Sequence, residues 1–347
     1  MRKSKKISVG NINVGGGAPV SVQSMLNVPS DDISGNVAQA QRLEKAGCDI
    51  IRAAVPDIGA ASLIKTLKEN CGMPVVADIH FDYRLAVAAV KAGADAIRIN
   101  PGNIGSEERV KAVADACGSA GIPIRVGVNS GSLEKSILEK YKGPTPAALV
   151  ESAVYHASLL EKNGFYDIAV SIKSSDTKKM IAANKLAAEK FAYPLHLGVT
   201  EAGGGLSGIV KSSMGIGSLL MDGIGDTIRV SLTDDPVLEV EAGIAILKAL
   251  NLKKGVKIIS CPTCGRTRIN LIPIEKELEK RLEGCKKDIT VAVMGCAVNG
   301  PGEAREADIG IAGGDGAGLI FKKGVIIRKV PQDELIDSLM GEIDNMI

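Results

Sequence analysis

Before about residue 240 the chain repeats one rhythm eight times: a short run of β-branched residues, a loop, then a stretch rich in Ala, Leu, Lys and Glu. The runs are PVSVQSM at 19–25, DIIRAAV at 49–55, PVVADIH at 74–80, AIRIN at 96–100, PIRVGVN at 123–129, DIAVSIK at 167–173, LHLGVT at 195–200 and TIRVSL at 227–232. Intervening segments such as NVAQAQRLEKAGC, RLAVAAVKAGA and SEERVKAVADACGSAG have helical composition, and several end in the Gly that closes a helix. Eight strands alternating with helices fit a closed parallel (β/α)8 TIM-type barrel better than an open sheet.

The ends of these runs carry the chemistry. Arg52, Asp78, His80, Arg98, Asn100, Arg125, Asn129, Lys173, Thr200, Glu201, Arg229 and Ser231 lie at or just after them. In a barrel those ends form one rim, where barrel enzymes keep their active sites. Four arginines and a lysine gathered there would bind an anion, and guanidinium forks suit phosphate. The expected ligand is a phosphorylated or diphosphorylated small molecule, with His196, Arg229 and Ser231 in the substrate-facing set. A lone strand-end histidine such as His80 or His196 is also often only a hydrogen-bonded structural group, and His156, among apolar neighbours in a helical stretch, reads as structural. Gly203–Gly205 and the GIG triplets at 215–217 and 223–225 resemble phosphate-cradling loops, although neither a G-x-G-x-x-G after a first strand nor a Walker lysine motif is present.

Composition narrows the partners. The net charge is +2 and aromatic residues are 3% with no Trp, so neither a long-range field nor a stacking platform points to nucleic acid. No apolar run reaches the ~20 residues of a membrane-spanning helix. The start, MRKSKKISVG, has no apolar segment behind its basic residues, so the expected compartment is the cytoplasm, without membrane association. Seven cysteines, an odd number in a reducing compartment, argue against a disulfide framework.

After about residue 250 the rhythm changes. KKGVKIISC, PIEKELEKRLEGC, DITVAVMGC, ADIGIAG and GLIFKKGVIIRKV read as a strand, a charged helix and further short strands before a closing helix near 332–345. The expected division is a barrel over 1–250, binding the substrate, and a small α+β domain over 251–347, joined near NLKKG. Cys261 and Cys264 form a C-x-x-C pair after the first of these strands, and Cys296 follows the second in GCAVNGPGEA. Cys285, Cys48, Cys71 and Cys117 lie on helical stretches and read as packed thiols. The segment has no histidine and no second C-x-x-C, which makes a closed zinc site awkward. Three thiolates and a different fourth ligand suit an iron-sulfur cluster, with Glu303 the nearest carboxylate in the loop of Cys296. Zinc and a redox dithiol remain open on spacing alone. So do two other functions: a barrel lyase acting on a phosphorylated sugar through a Lys173 Schiff base, and, less in keeping with the charge and aromatics, a zinc-ribbon RNA-binding module.

The phrases VADIHFDYR, RINPGNIG, GVNSGSLEK, PLHLGVTEAGG, GDTIRVSL, CPTCGR and GCAVNGPGEA, in this order through nearly the whole chain, closely resemble the bacterial, two-domain 4-hydroxy-3-methylbut-2-enyl diphosphate synthase family of non-mevalonate isoprenoid biosynthesis. One departure is Leu26, where the family often has threonine. The resemblance implies an iron-sulfur oxidoreductase that opens and dehydroxylates 2-C-methyl-D-erythritol 2,4-cyclodiphosphate with two electrons from flavodoxin or ferredoxin. It implies a 4Fe-4S cluster on Cys261, Cys264, Cys296 and Glu303, and diphosphate contacts from Arg52, Arg98, Arg125, Asn129 and Lys173. Glu201 would lie near the reacting carbons as a catalytic group, alongside Glu303. A head-to-tail homodimer, in which the cluster domain of one subunit covers the barrel of the other, is also implied.

Overall fold

The computed structural model describes residues 2–297, 302, 304–314 and 316–346. The chain divides into two compact units, Met1–Lys253 and Lys254–Ile347. Among the described residues, no helix is long and apolar enough to cross a membrane.

The first unit opens with a hairpin, β1 (Ile7–Val9) against β2 (Ile12–Val14). The eight expected runs follow as β3 (Ser21–Met25), β4 (Ile50–Ala54), β5 (Val75–Asp78), β6 (Ala96–Ile99), β7 (Ile124–Asn129), β8 (Ile168–Lys173), β9 (His196–Leu197) and β10 (Thr227–Ile228). They form one sheet in the order β8-β7-β6-β5-β4-β3-β10-β9, and a parallel bridge from Val170 to Leu195 joins its two ends. This is the expected TIM-type barrel. Helices α1 (Ile33–Lys45), α2 (Ala61–Asn70), α3 (Tyr83–Lys91), α4 (Pro101–Ile104), α5 (Glu107–Ala120), α6 (Lys135–Tyr141), α7 (Pro146–Glu161), α8 (Thr177–Lys190), α9 (Gly205–Met221) and α10 (Pro236–Ala249) fill the crossovers.

Local chemistry sets the helix starts. Asp32, Asp82, Asp176 and Asp235 each accept a backbone N–H from the first turn of α1, α3, α8 and α10, while Thr145 caps α7 ahead of Pro146.

Strand alternation then divides the side chains between two environments. Ile51, Ala53, Val75, Ala77, Ile97, Ile99, Val126 and Ile172 face outward into the layer shared with the helices. Ile50, Val76, Ala96 and Ala169 face inward at the barrel floor, where they pack with Ile7, Val9 and Val14 of the β1–β2 hairpin. That hairpin is absent from the sequence reading because its two short strands lack a helix between them. It plugs the floor, and each buried aliphatic side chain there contributes up to about 1.5–3 kcal/mol.

The second unit is a five-stranded sheet in the order β11 (Lys257–Ser260), β12 (Thr290–Met294), β13 (Ile309–Gly313), β14 (Ala317–Lys322), β15 (Val325–Pro331). The first three strands are parallel and the last two add antiparallel. Helices α11 (Leu271–Arg281) and α12 (Leu335–Asp344) share a core with Val291, Val293, Ile309 and Ile311.

Candidate active site in the barrel interior

Two residues beyond three of these floor residues, the inward face turns from apolar to charged. Ile50 gives way to Arg52, Val76 to Asp78 and Ala96 to Arg98. Asp78 and Arg98 are lateral neighbours on β5 and β6, as are Arg98 and Arg125 on β6 and β7. Arg52, Arg125 and Lys173 are buried, and the Arg98 and Arg229 side chains are only 11% and 17% exposed. The strand-end cations of the sequence therefore converge inside the barrel.

Two carboxylates organise them. Asp78 lies 3.2 Å from Arg98 Nη1, 3.7 Å from Arg52 Nε and 3.8 Å from His80 Nε2. Burial opposes ionisation of Asp78, but Arg52 and Arg98, then His80 and Arg125, outweigh it and hold the carboxyl below its usual value. Glu239, which the sequence reading missed, reaches in from α10 and accepts from Arg229 Nε and Nη2, both at 3.3 Å. It also accepts from Ser24 Oγ at 3.3 Å and the Leu232 N–H at 2.9 Å. No local pattern marks it, since Glu241 has the same kind of surroundings in the sequence and only the fold buries Glu239 to 3% exposure. Met25 Sδ accepts from Arg52 Nη2 at 2.8 Å and from Arg229 Nη1 at 3.8 Å, drawing those two guanidiniums together.

Five cations against two carboxylates leave three positive charges uncompensated. Burial, then Arg52, Arg229, Arg125 and Arg98, push the Lys173 ammonium well below its ordinary pKa. Burial, then Arg52 and Arg98, press the same way on Arg125. A guanidinium does not give up its proton, so the pressure on Arg125 reflects its burial first and the unneutralised charge around it second. Arg125 Nη1 donates to Gln23 Oε1 at 2.8 Å, while its Nε and Nη2 are buried with no partner among the described residues. His196 is fully buried beside Thr227 in register, both ring nitrogens likewise without a partner, and burial followed by the charges of Arg125 and Lys173 keeps it neutral.

Two glycines make room for this array. A Cβ on Gly127 would lie 2.4 Å from Arg98 Nε, and one on Gly198 would lie 2.7 Å from the Arg229 carbonyl and 3.1 Å from Lys173 Nζ. Asn129 pairs in register with Lys173 at the rim, and Ser231 follows Arg229 just beyond β10. Glu201 is exposed after β9 with φ of 54°, a left-handed conformation that costs a non-glycine residue about 1 kcal/mol or more. His80 is exposed at the mouth.

The glycine triplets divide. Gly203 and Gly204 form the turn into α9 at the rim. The expectation of cradling loops fails at 215–217, which lies inside α9, where Gly215 lets the helix pack against Val199 and Met180. It fails also at 223–225, which precedes β10 at the floor end, with Gly225 packed against Leu197.

In the second unit β11 and β12 are parallel neighbours, so Cys261 and Cys296, which follow them, leave the sheet at the same edge. The Gly295 N–H donates to Cys261 Sγ at 3.1 Å, and the Cys264 N–H donates to Thr267 Oγ1 at 3.2 Å. The backbone N–H of Arg266, then its side chain, lower the Cys264 thiol below its ordinary pKa. The Gly295 N–H thus faces the Cys261 sulfur, and Arg266 faces that of Cys264. Among the described residues no three His, Cys, Asp or Glu side chains are gathered closely enough to hold a metal ion, and Glu303 lies outside the described residues. Cys48 and Cys117 are buried and pushed up to about 12 by burial, as inert packed thiols are.

The family model described as the GcpE TIM-barrel domain matches residues 4–244, and that described as the GcpE protein C-terminal domain matches 257–345. The chain is 60% identical over 345 residues to "4-hydroxy-3-methylbut-2-en-1-yl diphosphate synthase (flavodoxin)" of Clostridium acetobutylicum, covering 99% of both proteins. It is 58% identical over 349 residues to the protein of the same name from Caldanaerobacter subterraneus, covering 100% of this chain and 98% of that one. Among solved structures, dihydropteroate synthase from Stenotrophomonas maltophilia aligns with a TM-score of 0.53 and 17% identity, over 72% of this chain and 97% of that one. The 3-dehydroquinate dehydratase of Geobacillus kaustophilus gives 0.53 and 17%, over 72% and 99%. At that identity these two show the barrel fold alone.

Proposed function

The chain belongs to the GcpE family through both of that family's domains in order, and on that premise we propose how its own residues carry the reaction. It is an oxidoreductase of non-mevalonate isoprenoid biosynthesis, converting 2-C-methyl-D-erythritol 2,4-cyclodiphosphate to 4-hydroxy-3-methylbut-2-en-1-yl diphosphate with electrons from flavodoxin. Two electrons open the ring, and one hydroxyl leaves as water.

The observation that carries the site assignment is the surplus of three buried positive charges in the barrel. A cyclic diphosphate carries two acidic phosphates and would neutralise most of that surplus. Arg52, Arg98, Arg125, Lys173 and Arg229 bind it, with Asn129, Ser231 and His196 completing the substrate-facing set. Asp78 and Glu239 hold the guanidiniums in place between turnovers. Burial and its cationic neighbours press Lys173 toward giving up its proton, and the arriving anion relieves that pressure. Glu201 at the mouth gives a proton to the departing hydroxyl. In this arrangement the barrel residues fix the diphosphate end and leave the ring carbons toward the open rim.

Cys261, Cys264 and Cys296, with Glu303, are the residues that would hold a 4Fe-4S cluster. Their chemistry fits: three thiols in the segments that follow two adjacent parallel strands, one receiving a backbone N–H bond and one with a lowered pKa. Such a cluster, when bound, supplies electrons singly. A head-to-tail homodimer in the cytoplasm completes the reading, since the two sets of residues belong to separate units.

Anaerobic purification with iron and sulfide analysis, coupled to turnover with reduced flavodoxin, tests the assignment. Brown protein with about four irons per chain is expected; colourless, zinc-only protein that turns over fully would end it. Mixing a Cys261→Ser chain with an Arg125→Ala chain tests the dimer, because only sharing across subunits restores activity in the hybrid.

A further inference from the structure

His156, on α7, has a fully buried side chain, with one ring nitrogen hydrogen-bonded and the other against a carboxylate. Nδ1 accepts the Gly102 backbone N–H at 3.1 Å, and Nε2 lies in close contact with Glu134 Oε1. Because Nδ1 accepts, it has no proton, so the neutral ring carries its single proton on Nε2, facing the carboxylate. Burial favours that neutral form, against the pull of Glu134.

The two partners belong to different rim loops. Gly102 lies in α4, immediately after β6, and its N–H is shared with Asn100 Oδ1, also at 3.1 Å. Glu134 stands just before α6, in the loop that leaves β7 at Asn129. A Cβ on Gly102 would lie 2.4 Å from His156 Cε1, so the approach of loop to ring excludes a side chain there. A histidine that merely filled space would not require a glycine and a carboxylate from two separate loops. Removing Gly102's N–H would leave a buried acceptor unpaired and removing Glu134 would leave Nε2 facing nothing polar, so the ring fixes the separation of the loops through these two contacts.

We infer that His156 is a positioning residue: its imidazole, held between Gly102 and Glu134, sets the loops after β6 and β7, and with them Asn100 and Asn129, at the rim where the cyclic diphosphate sits. The identity of the ligand rests on the function proposed above; the clamp itself rests on the three residues.

The test uses anaerobically purified holoenzyme. His156→Ala removes the Gly102 hydrogen bond and the Glu134 contact, His156→Asn retains an acceptor for Gly102, His156→Gln retains a donor for Glu134, and Glu134→Gln removes the charge while preserving shape. The Ala variant should raise KM for the cyclic diphosphate about tenfold, as the loss of one buried hydrogen bond predicts. Its kcat at saturation should stay within about twofold, because the groups at the reacting carbons are untouched. Asn and Gln should each recover part of the KM. Iron content should not change, and amide exchange should quicken in residues 100–104 and 130–134. Unchanged KM and unchanged exchange in those two loops, in the Ala variant or, where it does not fold, in Glu134→Gln, would overturn the inference. So would a lowered melting temperature with wild-type KM, which would assign His156 to packing alone. If the wild-type protein fails to bind the cyclic diphosphate, the proposed ligand falls, and loop exchange still judges the clamp.

Discussion

Replacing Asp78 by Asn raises the uncompensated charge of the barrel interior from three to four while preserving the shape of the side chain. In the free protein Arg52 and Arg98 lose their shared counterion, with Asp78 itself only 4% exposed. Breaking one partner out of a buried ion pair costs about 3 kcal/mol or more. For a unit of this size that lowers the melting temperature by about 6–12 °C. The ligand should reverse part of the loss, because an anion that enters the array now relieves one more unpaired charge. The rise in melting temperature on adding the cyclic diphosphate should therefore be larger in the variant than in the wild type, the linkage running through the folded state alone. The pH dependence has a definite sign. A carboxyl with a lowered folded pKa stabilises above its unfolded value of about 4 and loses that contribution as pH falls through the lowered value. The difference between wild type and variant should stay constant down to about pH 4 and close only below it. Anaerobic differential scanning calorimetry with and without ligand reads all three. An unshifted melting temperature in the free variant, or a smaller ligand-induced rise than in the wild type, refutes the charge argument.

Other outcomes follow from the same geometry. Binding of the cyclic diphosphate at mildly alkaline pH should take up a proton at Lys173, so the calorimetric enthalpy should differ between buffers of different ionisation heat; equal enthalpies would show that Lys173 is already charged. Gly127→Ala meets only the far end of the Arg98 side chain, so it should change stability by less than about 1 kcal/mol yet displace the guanidinium and weaken ligand binding. Gly198→Ala meets the Arg229 backbone carbonyl and should cost about 1–3 kcal/mol, a contrast that thermal melts and titration of the two variants together would expose. Cys285→Ser and Cys71→Ser should retain the full iron content of anaerobic preparations, and Cys261→Ser should not; equal iron in all three would remove Cys261 from the ligand set.

The barrel was legible in the sequence because its signal is local: β-branched runs and capped helices recur at short range, and the polar strand ends stand out against them. The organisers of the charge were not. Arg98 and Arg125 are visible as strand residues, but their side-by-side register with Asp78 depends on strand pairing across three βα units. Glu239 is an ordinary helix glutamate until α10 packs over β3 and turns it inward. His156 reads as a structural residue for the same reason, since its partner Gly102 is 54 positions away. Periodicity reports which face a side chain takes; it carries no information about which distant charge shares that face.

Net composition misled by the same averaging. A charge of +2 over 347 residues describes a nearly neutral protein, yet three unpaired charges are concentrated inside one barrel. The apolar plug explains how that concentration acts. Ile7, Val9 and Val14 close the floor against Ile50, Val76, Ala96 and Ala169, so the charged layers above them open only toward the rim. Water and counterions reach the array from one side, and its field is correspondingly less screened than that of surface charges. An anion descending from the rim meets Asn129 and Ser231 first and the buried guanidiniums last. On the proposed assignment its charged end is drawn inward and the carbons to be reduced stay at the open mouth.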